Sequence, residues 1–251
     1  MNKITKWAEK WAMKFNVKKC KILHVGRGNP GHDYEMDGEK LQEVETEKDI
    51  GIMIHKDLKP ARQCQKAAGT AGAVLRQITR NFYYRDKKVF KQLYCQYVRP
   101  HLEFATPASS PWLETDIELL ERVQKKAVKQ VVGLVGSTYE ERCAELDIDT
   151  LRARREMADL IQVYKTLKCE NDVNIFKRAE NMRNTRQNAD PHNLVCPRAR
   201  LDVRKYNFTV RAVYEWNRLP FEIKNADTIN QFKNVLKHLY RRPVGGNAAG
   251  N

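Results

Sequence analysis

The feature that most restricts the fold of this chain is the pattern in residues 62 to 80. Cys64, Ala67, Ala68, Ala71, Val74, Leu75 and Ile78 fall on one face of an α-helix. Arg62, Lys66, Arg76 and Arg80 gather on the opposite face. A segment built this way buries one side and gives the other to water, so it needs partners of the same kind. The residues that follow supply them. Asp86 is placed to cap a second helix carrying Val89, Phe90, Leu93, Tyr94, Tyr97 and Val98, which Pro100 ends or kinks. PASSP, residues 107 to 111, reads as a loop. A third helix from about Glu114 has Ile117, Leu120, Val123, Ala127 and Val131 on one stripe. Arg122, Lys125, Lys126 and Lys129 lie roughly opposite. Three such helices on short connections predict a small bundle.

Upstream of Pro60 the texture differs. Trp7, Trp11 and Phe15 recur at intervals of four, which predicts a helix over residues 3 to 15. It begins without a capping signal, as expected of a chain entered in the middle of a structural unit. KCKILHV, residues 19 to 25, reads as a strand, and residues 33 to 55 as one or two hairpins ending in the apolar strand IGIMI. Between them lies Gly26-x-Gly28-x-x-Gly31, the spacing of a dinucleotide-binding loop. That loop works when its third glycine opens a helix whose N-terminus receives a pyrophosphate. Here the glycines lead into HDYEMDGEK, which has no helical apolar period. Pro30 interrupts the motif and Asp37-Gly38 is a further turn signal. The stretch reads as a turn, not a cofactor site.

Downstream, Ser137 to Glu141 has the form of a capping box. Thr150 caps a helix with Met157, Leu160, Ile161, Tyr164 and Leu167 inward. Residues 169 to 200 are polar and poorly periodic and read as a linker, partly disordered. Thr228 caps a last helix through Ile229, Phe232, Val235 and Leu239, and the tail GGNAAGN is expected to be disordered. The fold class predicted is α+β, mainly α.

Charge narrows the partners. The chain has 251 residues, a formal net charge of +15 and a pI near 9.6, which points to a polyanion. The charge is uneven. Residues 33 to 49 hold eight acids against Lys40 and Lys48, whereas residues 58 to 111 hold ten bases against Asp86 and Glu103. No apolar run reaches the ~18 residues of a membrane span. Lys3, Lys6 and Lys10 leave no room for a signal-peptide core, so the chain is not expected to be secreted. The six cysteines form no CxxC pair, and His192-x-x-x-Cys196 lacks a second ligand pair, so a zinc site has little support. The cysteines read as reduced thiols of an intracellular protein, nuclear or cytoplasmic. Asp147-x-Asp149 and Asp116-x-Glu118 are close carboxylate pairs. Glu118 sits within an amphipathic helix, and Asp147 to Asp149 precedes a helix start, where acids are favoured without any catalytic role.

Five stretches, in order, carry a resemblance: WAEKWAMKFNVKKCKILHVG, EKDIGIMIHKDLKPARQC, LYCQYVRPHLEFATP, DIELLERVQKKAVKQVVGL and FTVRAVYEWNRLPFEIKNADTINQFKNVL. Together they resemble the reverse transcriptases of non-LTR (LINE-type) retrotransposons, of the jockey and chicken-repeat kinds, over about residues 3 to 240. The family's palm carries an aromatic-x-Asp-Asp motif and a further Asp that bind two metal ions, which activate the primer hydroxyl and stabilise the leaving pyrophosphate. This chain has no Asp-Asp pair. The resemblance therefore implies the later palm segments, the thumb and the C-terminal region, and a chain that does not polymerise alone. Mg2+ is expected only for a full-length polymerase.

The resemblance also implies roles. Asn16-x-x-Lys19 is similar to the family's Asn-x-x-Lys motif, whose lysine is thought to protonate pyrophosphate; Lys19 inherits that accessory role only if a palm is supplied. Asp49-Ile50-Gly51-Ile52 resembles the primer-grip hairpin, in which glycine lets backbone approach the primer end. The helices from Pro60 to Val132 resemble the thumb, which holds a template–primer duplex by its phosphates. Arg62, Lys66, Arg76, Arg80, Lys87, Lys88, Lys91, Arg122, Lys125, Lys126 and Lys129 are then the expected contacts to RNA, DNA or an RNA–DNA duplex. The expected division is a palm remnant at 1–57, a thumb-like bundle at 58–135, a helical extension at 136–168, a linker at 169–200, a C-terminal helical region at 201–242 and a tail at 243–251. Ser109-Ser110-Pro111 departs from the family's Trp-Ser-Pro. An alternative is a host-adapted or decayed stand-alone basic helical protein, an adaptor or nucleic-acid binder. It would bind through the same bases or pair through Trp7, Trp11 and Phe15 with the missing palm and fingers or another protein.

Overall fold

The computed structural model describes residues 2–26, 28–134, 136–168, 175–179 and 190–241. The architecture is α+β and mainly helical, with three two-stranded sheets among the described residues. It forms two compact units, Met1–Lys66 and Ala67–Asn251, whose boundary falls inside one long helix.

In the first unit, α1 spans Asn2–Lys10 and stops earlier than the tryptophan spacing predicts. Ala12 turns left-handed (φ 51°) and the Met13 amide reaches back five residues to the Ala8 carbonyl at 2.9 Å. That closing geometry ends a helix whatever its apolar period. It leaves Trp11 and Phe15 beyond the last turn. The predicted strand at 19–25 shortens to a 3-10 turn, Val17–Lys19, and β1, Lys21–Ile22. Then β2 (Glu35–Met36) and β3 (Glu39–Lys40) form a hairpin on Asp37-Gly38, both with positive φ. The strand β4 (Gln42–Glu43) runs parallel to β1. The glycines at 26, 28 and 31 all have positive φ and open no described helix; the next element after β1 is β2. The hairpin of β5 (Thr46–Asp49) and β6 (Ile52–His55) corrects the expected strand IGIMI: Ile50 and Gly51 are its two-residue turn.

The long helix, α2, is Ala61–Asn81. Cys64, Ala67, Ala68, Ala71, Leu75 and Ile78 are buried along it, as the periodicity requires. In the second unit Asp86 caps α3 (Lys87–Leu93), accepting from the Val89 amide at 2.8 Å. The helix then widens into a π segment, Tyr94–Val98, before α4 (Arg99–Leu102). Pro100 neither ends nor breaks it. The wider turn removes the need for the amide proline lacks and relieves the clash with the carbonyl four residues back. The expected loop at PASSP is partly helical, because Thr106–Ser109 forms the single turn α5.

Next come α6 (Glu114–Val128), α7 (Tyr139–Glu145) with a complete Thr138–Glu141 capping box, and α8 (Leu151–Lys168). A buried polar chain joins them. Tyr94 donates to Gln124, whose amide donates to the Tyr139 hydroxyl (2.8 Å) and the Asp149 carbonyl (3.1 Å). Tyr139 in turn donates to Glu121, which also accepts from the Leu151 amide. Burial, then the Glu121 carboxylate, holds the Tyr139 hydroxyl far above its ordinary pKa, so it stays a donor.

The C-terminal part has α9 (Asp202–Lys205), α10 (Phe208–Arg218), α11 (Phe221–Lys224) and α12 (Ile229–Arg241). Helix α8 packs on α5, α6, α10 and α12. Leu160, Val163, Tyr164, Val213, Trp216, Phe232 and Leu236 form the core there, each side chain stabilising the fold by roughly 1.5–3 kcal/mol. On α12 the inward face is Phe232 and Leu236; Val235 and Leu239, expected inside, are exposed.

The expected linker at 169–200 is corrected where it is described. Phe176, Ala179, Asn193 and Leu194 are buried, and Arg178 bridges Leu194 in antiparallel fashion. Trp216 donates through Nε1 to the His192 carbonyl at 2.9 Å. Lys224, 2% exposed, reaches Asp190 and Asn193 at 2.7 Å each and the Asn217 carbonyl at 3.3 Å. These contacts come from helices distant in sequence, so local polarity gives no sign of them. The remainder of that segment and the tail 243–251 lie outside the described residues.

Candidate nucleic-acid interface

Four of the expected bases share one exposed face of α2: Arg62, Lys66, Arg76 and Arg80. They are not equivalent. Lys66 donates to the Gly51 carbonyl at 3.1 Å, at the tip of the β5–β6 hairpin. Gln63 accepts from the Met53 amide of the same hairpin at 3.0 Å. Arg62 adds to the field of Lys56 that lowers the Glu45 pKa. Arg76 and Arg80 form no ion pair with a described residue.

The α3 bases divide in the same way. Lys87 pairs with Glu145 and Lys91 with Asp147 (2.9 Å), while Lys88 is exposed and forms no ion pair with a described residue. On α6, Lys125 pairs with Glu118 (3.1 Å) and lies over the Tyr139 ring, 5.5 Å from its centre. Arg122, Lys126 and Lys129 stand exposed on the opposite side from Leu120, Val123 and Ala127, again without a described ion pair. Charge counting had treated eleven cations alike. Six of them, Arg76, Arg80, Lys88, Arg122, Lys126 and Lys129, make no side-chain ion pair or hydrogen bond with a described residue, whereas Lys66 is held by a carbonyl and Arg62 lies in the field of Glu45.

Arg85, counted only as a base in the sequence, is structural. It donates from Nε to the Gln130 carbonyl (3.1 Å) just past α6, and from Nη1 to the Thr79 (3.2 Å) and Phe82 (2.7 Å) carbonyls at the end of α2. The Val132 amide returns a bond to the Arg85 carbonyl at 3.1 Å. One guanidinium thus satisfies carbonyls left open by two helix ends and places its charge where both dipoles are negative. It ties together the two segments that carry Arg80 and Lys129, each one residue from a carbonyl it binds. Tyr83 and Tyr84, which sequence reading passed over, lie in the turn it holds. Their signal was present: three consecutive aromatics, Phe82, Tyr83 and Tyr84, between Arg80 and Lys87-Lys88.

Lys19 is exposed on the 3-10 turn, its amide bonded to the Asn16 carbonyl at 2.9 Å, so the Asn-x-x-Lys spacing occupies one turn. Asp49 is exposed and pairs across the hairpin with Ile52. At its tip Ile50 (φ 43°) and Gly51 (φ 87°) are both left-handed. Glycine meets that geometry freely; a β-branched residue does not, at a cost on the order of 1–3 kcal/mol. Ile50 is nevertheless 89% exposed.

The carboxylate pairs are engaged elsewhere. Asp147 meets Lys91, Asp149 lies 4.0 Å from Arg154, and Glu118 holds Lys125. Among the described residues no three His, Cys, Asp or Glu side chains converge to hold a metal. His192 packs edge-on against Phe221 while Cys196 is exposed. Cys20, Cys64, Cys95, Cys143 and Cys196 are free thiols, and burial pushes Cys143 up to about 11. No described helix is long and apolar enough to cross a membrane.

No protein family, curated protein or solved structure matches this chain.

Proposed function

We propose that this chain is the late-palm, thumb and C-terminal part of a LINE-type reverse transcriptase, and that it binds template–primer nucleic acid, RNA, DNA or their hybrid, through its helical bases. The observation that carries the binding reading is the set of six cations along α2, α3 and α6 whose side chains make no ion pair or hydrogen bond with a described residue. A base held in an intramolecular ion pair is already balanced by its acid; a base left open attracts phosphate. The ordered five-segment resemblance supplies the polymerase context. Lacking the Asp-Asp pair, the chain does not polymerise alone, and Lys19 donates a proton only beside palm carboxylates supplied to it. The setting is intracellular, in nucleus or cytoplasm, where the free thiols stay reduced.

Anisotropy titration of a labelled RNA–DNA duplex across about 50–200 mM salt tests the binding reading. If all six cations meet phosphates, the log–log slope is about −5. A slope near zero overturns it.

A specific observation also favours the adaptor alternative. In the first unit Ile4, Trp7, Trp11 and Met13 are half or more exposed, an apolar surface suited to a protein partner.

A further inference from the structure

Residues 82 to 86 join α2 to α3, and Arg85 fixes the turn to the ends of α2 and α6. The two residues before Arg85 take no part in that construction. Tyr83 is 90% and Tyr84 75% exposed. Neither ring stacks on a described aromatic, lies under a described cation or hydrogen-bonds to a described residue. A single surface tyrosine is unremarkable, but two adjacent exposed rings beside a pinned arginine put two apolar π-systems in water at one turn. Their surroundings are basic: Arg80 closes α2, Lys88 lies in the first turn of α3, and Lys129 precedes the Gln130 that Arg85 holds. Asp86, the one acid within the turn, is occupied in capping α3.

We propose that the Tyr83–Tyr84 turn is a stacking platform for unpaired bases of a nucleic-acid strand, whose phosphates lie on Arg80, Lys88 and Lys129. This rests on the nucleic-acid reading above and adds to it a single-stranded ligand class. Every base presents a π-face, so the platform reads neither sequence nor sugar, and ribose and deoxyribose strands serve alike. Bases inside a duplex are already stacked, and only their phosphates remain to be met. Arg85 makes the surface efficient because the turn is ordered before the strand arrives.

The test uses the full chain, a single-stranded oligonucleotide of about 15 residues carrying 2-aminopurine, and a blunt duplex of the same length, at one fixed salt concentration. The Tyr83→Ala/Tyr84→Ala variant is expected to lose about tenfold or more in affinity for the single strand. It should lose the 2-aminopurine quench and keep duplex affinity within about twofold. Tyr83→Phe/Tyr84→Phe, which retains the rings, is expected to keep both. If the alanine variant binds the single strand as tightly as the parent, or weakens single strand and duplex equally, the platform is overturned while the phosphate reading stands. If the parent chain binds neither ligand, the phosphate reading falls and the platform with it.

Discussion

The guanidinium of Arg85 donates to the carbonyl of Gln130 at 3.1 Å, joining the turn after α2 to the end of α6 across 45 residues of sequence. With its bonds to Thr79 and Phe82 it holds together the two helices that carry most of the open cations.

Replacing Arg85 with Met removes these donors and keeps much of the stem. The variant is expected to be destabilised by about 1–3 kcal/mol, because partly buried carbonyls lose their partners. Urea unfolding of variant and parent, compared at equal m-value, measures it. A change under about 0.5 kcal/mol would show that water replaces the guanidinium without loss.

The pairing pattern predicts which bases matter for binding. Lys129→Ala is expected to lower nucleic-acid affinity across all sequences and to reduce the salt slope by about 1. Lys125→Ala is expected to change the slope little, since its ammonium is already balanced by Glu118. Equal effects at the two positions, in parallel salt titrations, would mean that the ion pairs do not sort the cations.

Lys224 is expected to be indispensable to the C-terminal core. Lys224→Met leaves Asn193 and Asp190 without their ammonium and should cost about 2–3 kcal/mol, below the range for a sealed pair because Asp190 keeps some water. Burial works to raise the Asp190 pKa, but Lys224 and the His192 amide outweigh it, so the carboxyl is lowered overall. A lowered carboxyl contributes stability above its unfolded value near 4, and that contribution is lost as pH falls through the folded value. The parent should therefore lose stability below about pH 4 more steeply than Lys224→Met. Melting temperatures of both between about pH 3 and 7 measure this, and parallel curves would rule it out.

Much of the helical architecture was legible locally. The α2 face, the Asp86 cap and the Thr138–Glu141 box each depend on residues within a few turns of one another, and each forms as read. The misreadings share the opposite property. α1 stops at a left-handed Ala12 that no spacing announces, and α12 turns Leu236 inward in place of Val235 because Phe232 and Leu236 are what reach the α8–α10 core. The segment around Asp190–Leu194 looked like solvent-exposed linker because its partners, Trp216, Asn217 and Lys224, lie more than twenty residues away.

The candidate interface divides along the same line. Sequence alone determined that the chain is strongly basic, that its bases lie on one face of amphipathic helices, and that it carries no Asp-Asp pair, because composition and helical period are properties of the chain itself. Tertiary structure decided which bases are spent. Lys87, Lys91 and Lys125 meet acids from other turns or helices, Arg85 caps two helix ends, and Tyr83 and Tyr84 are left facing water. A charge becomes available to a ligand only when folding brings no opposite charge beside it, and that depends on where distant segments pack.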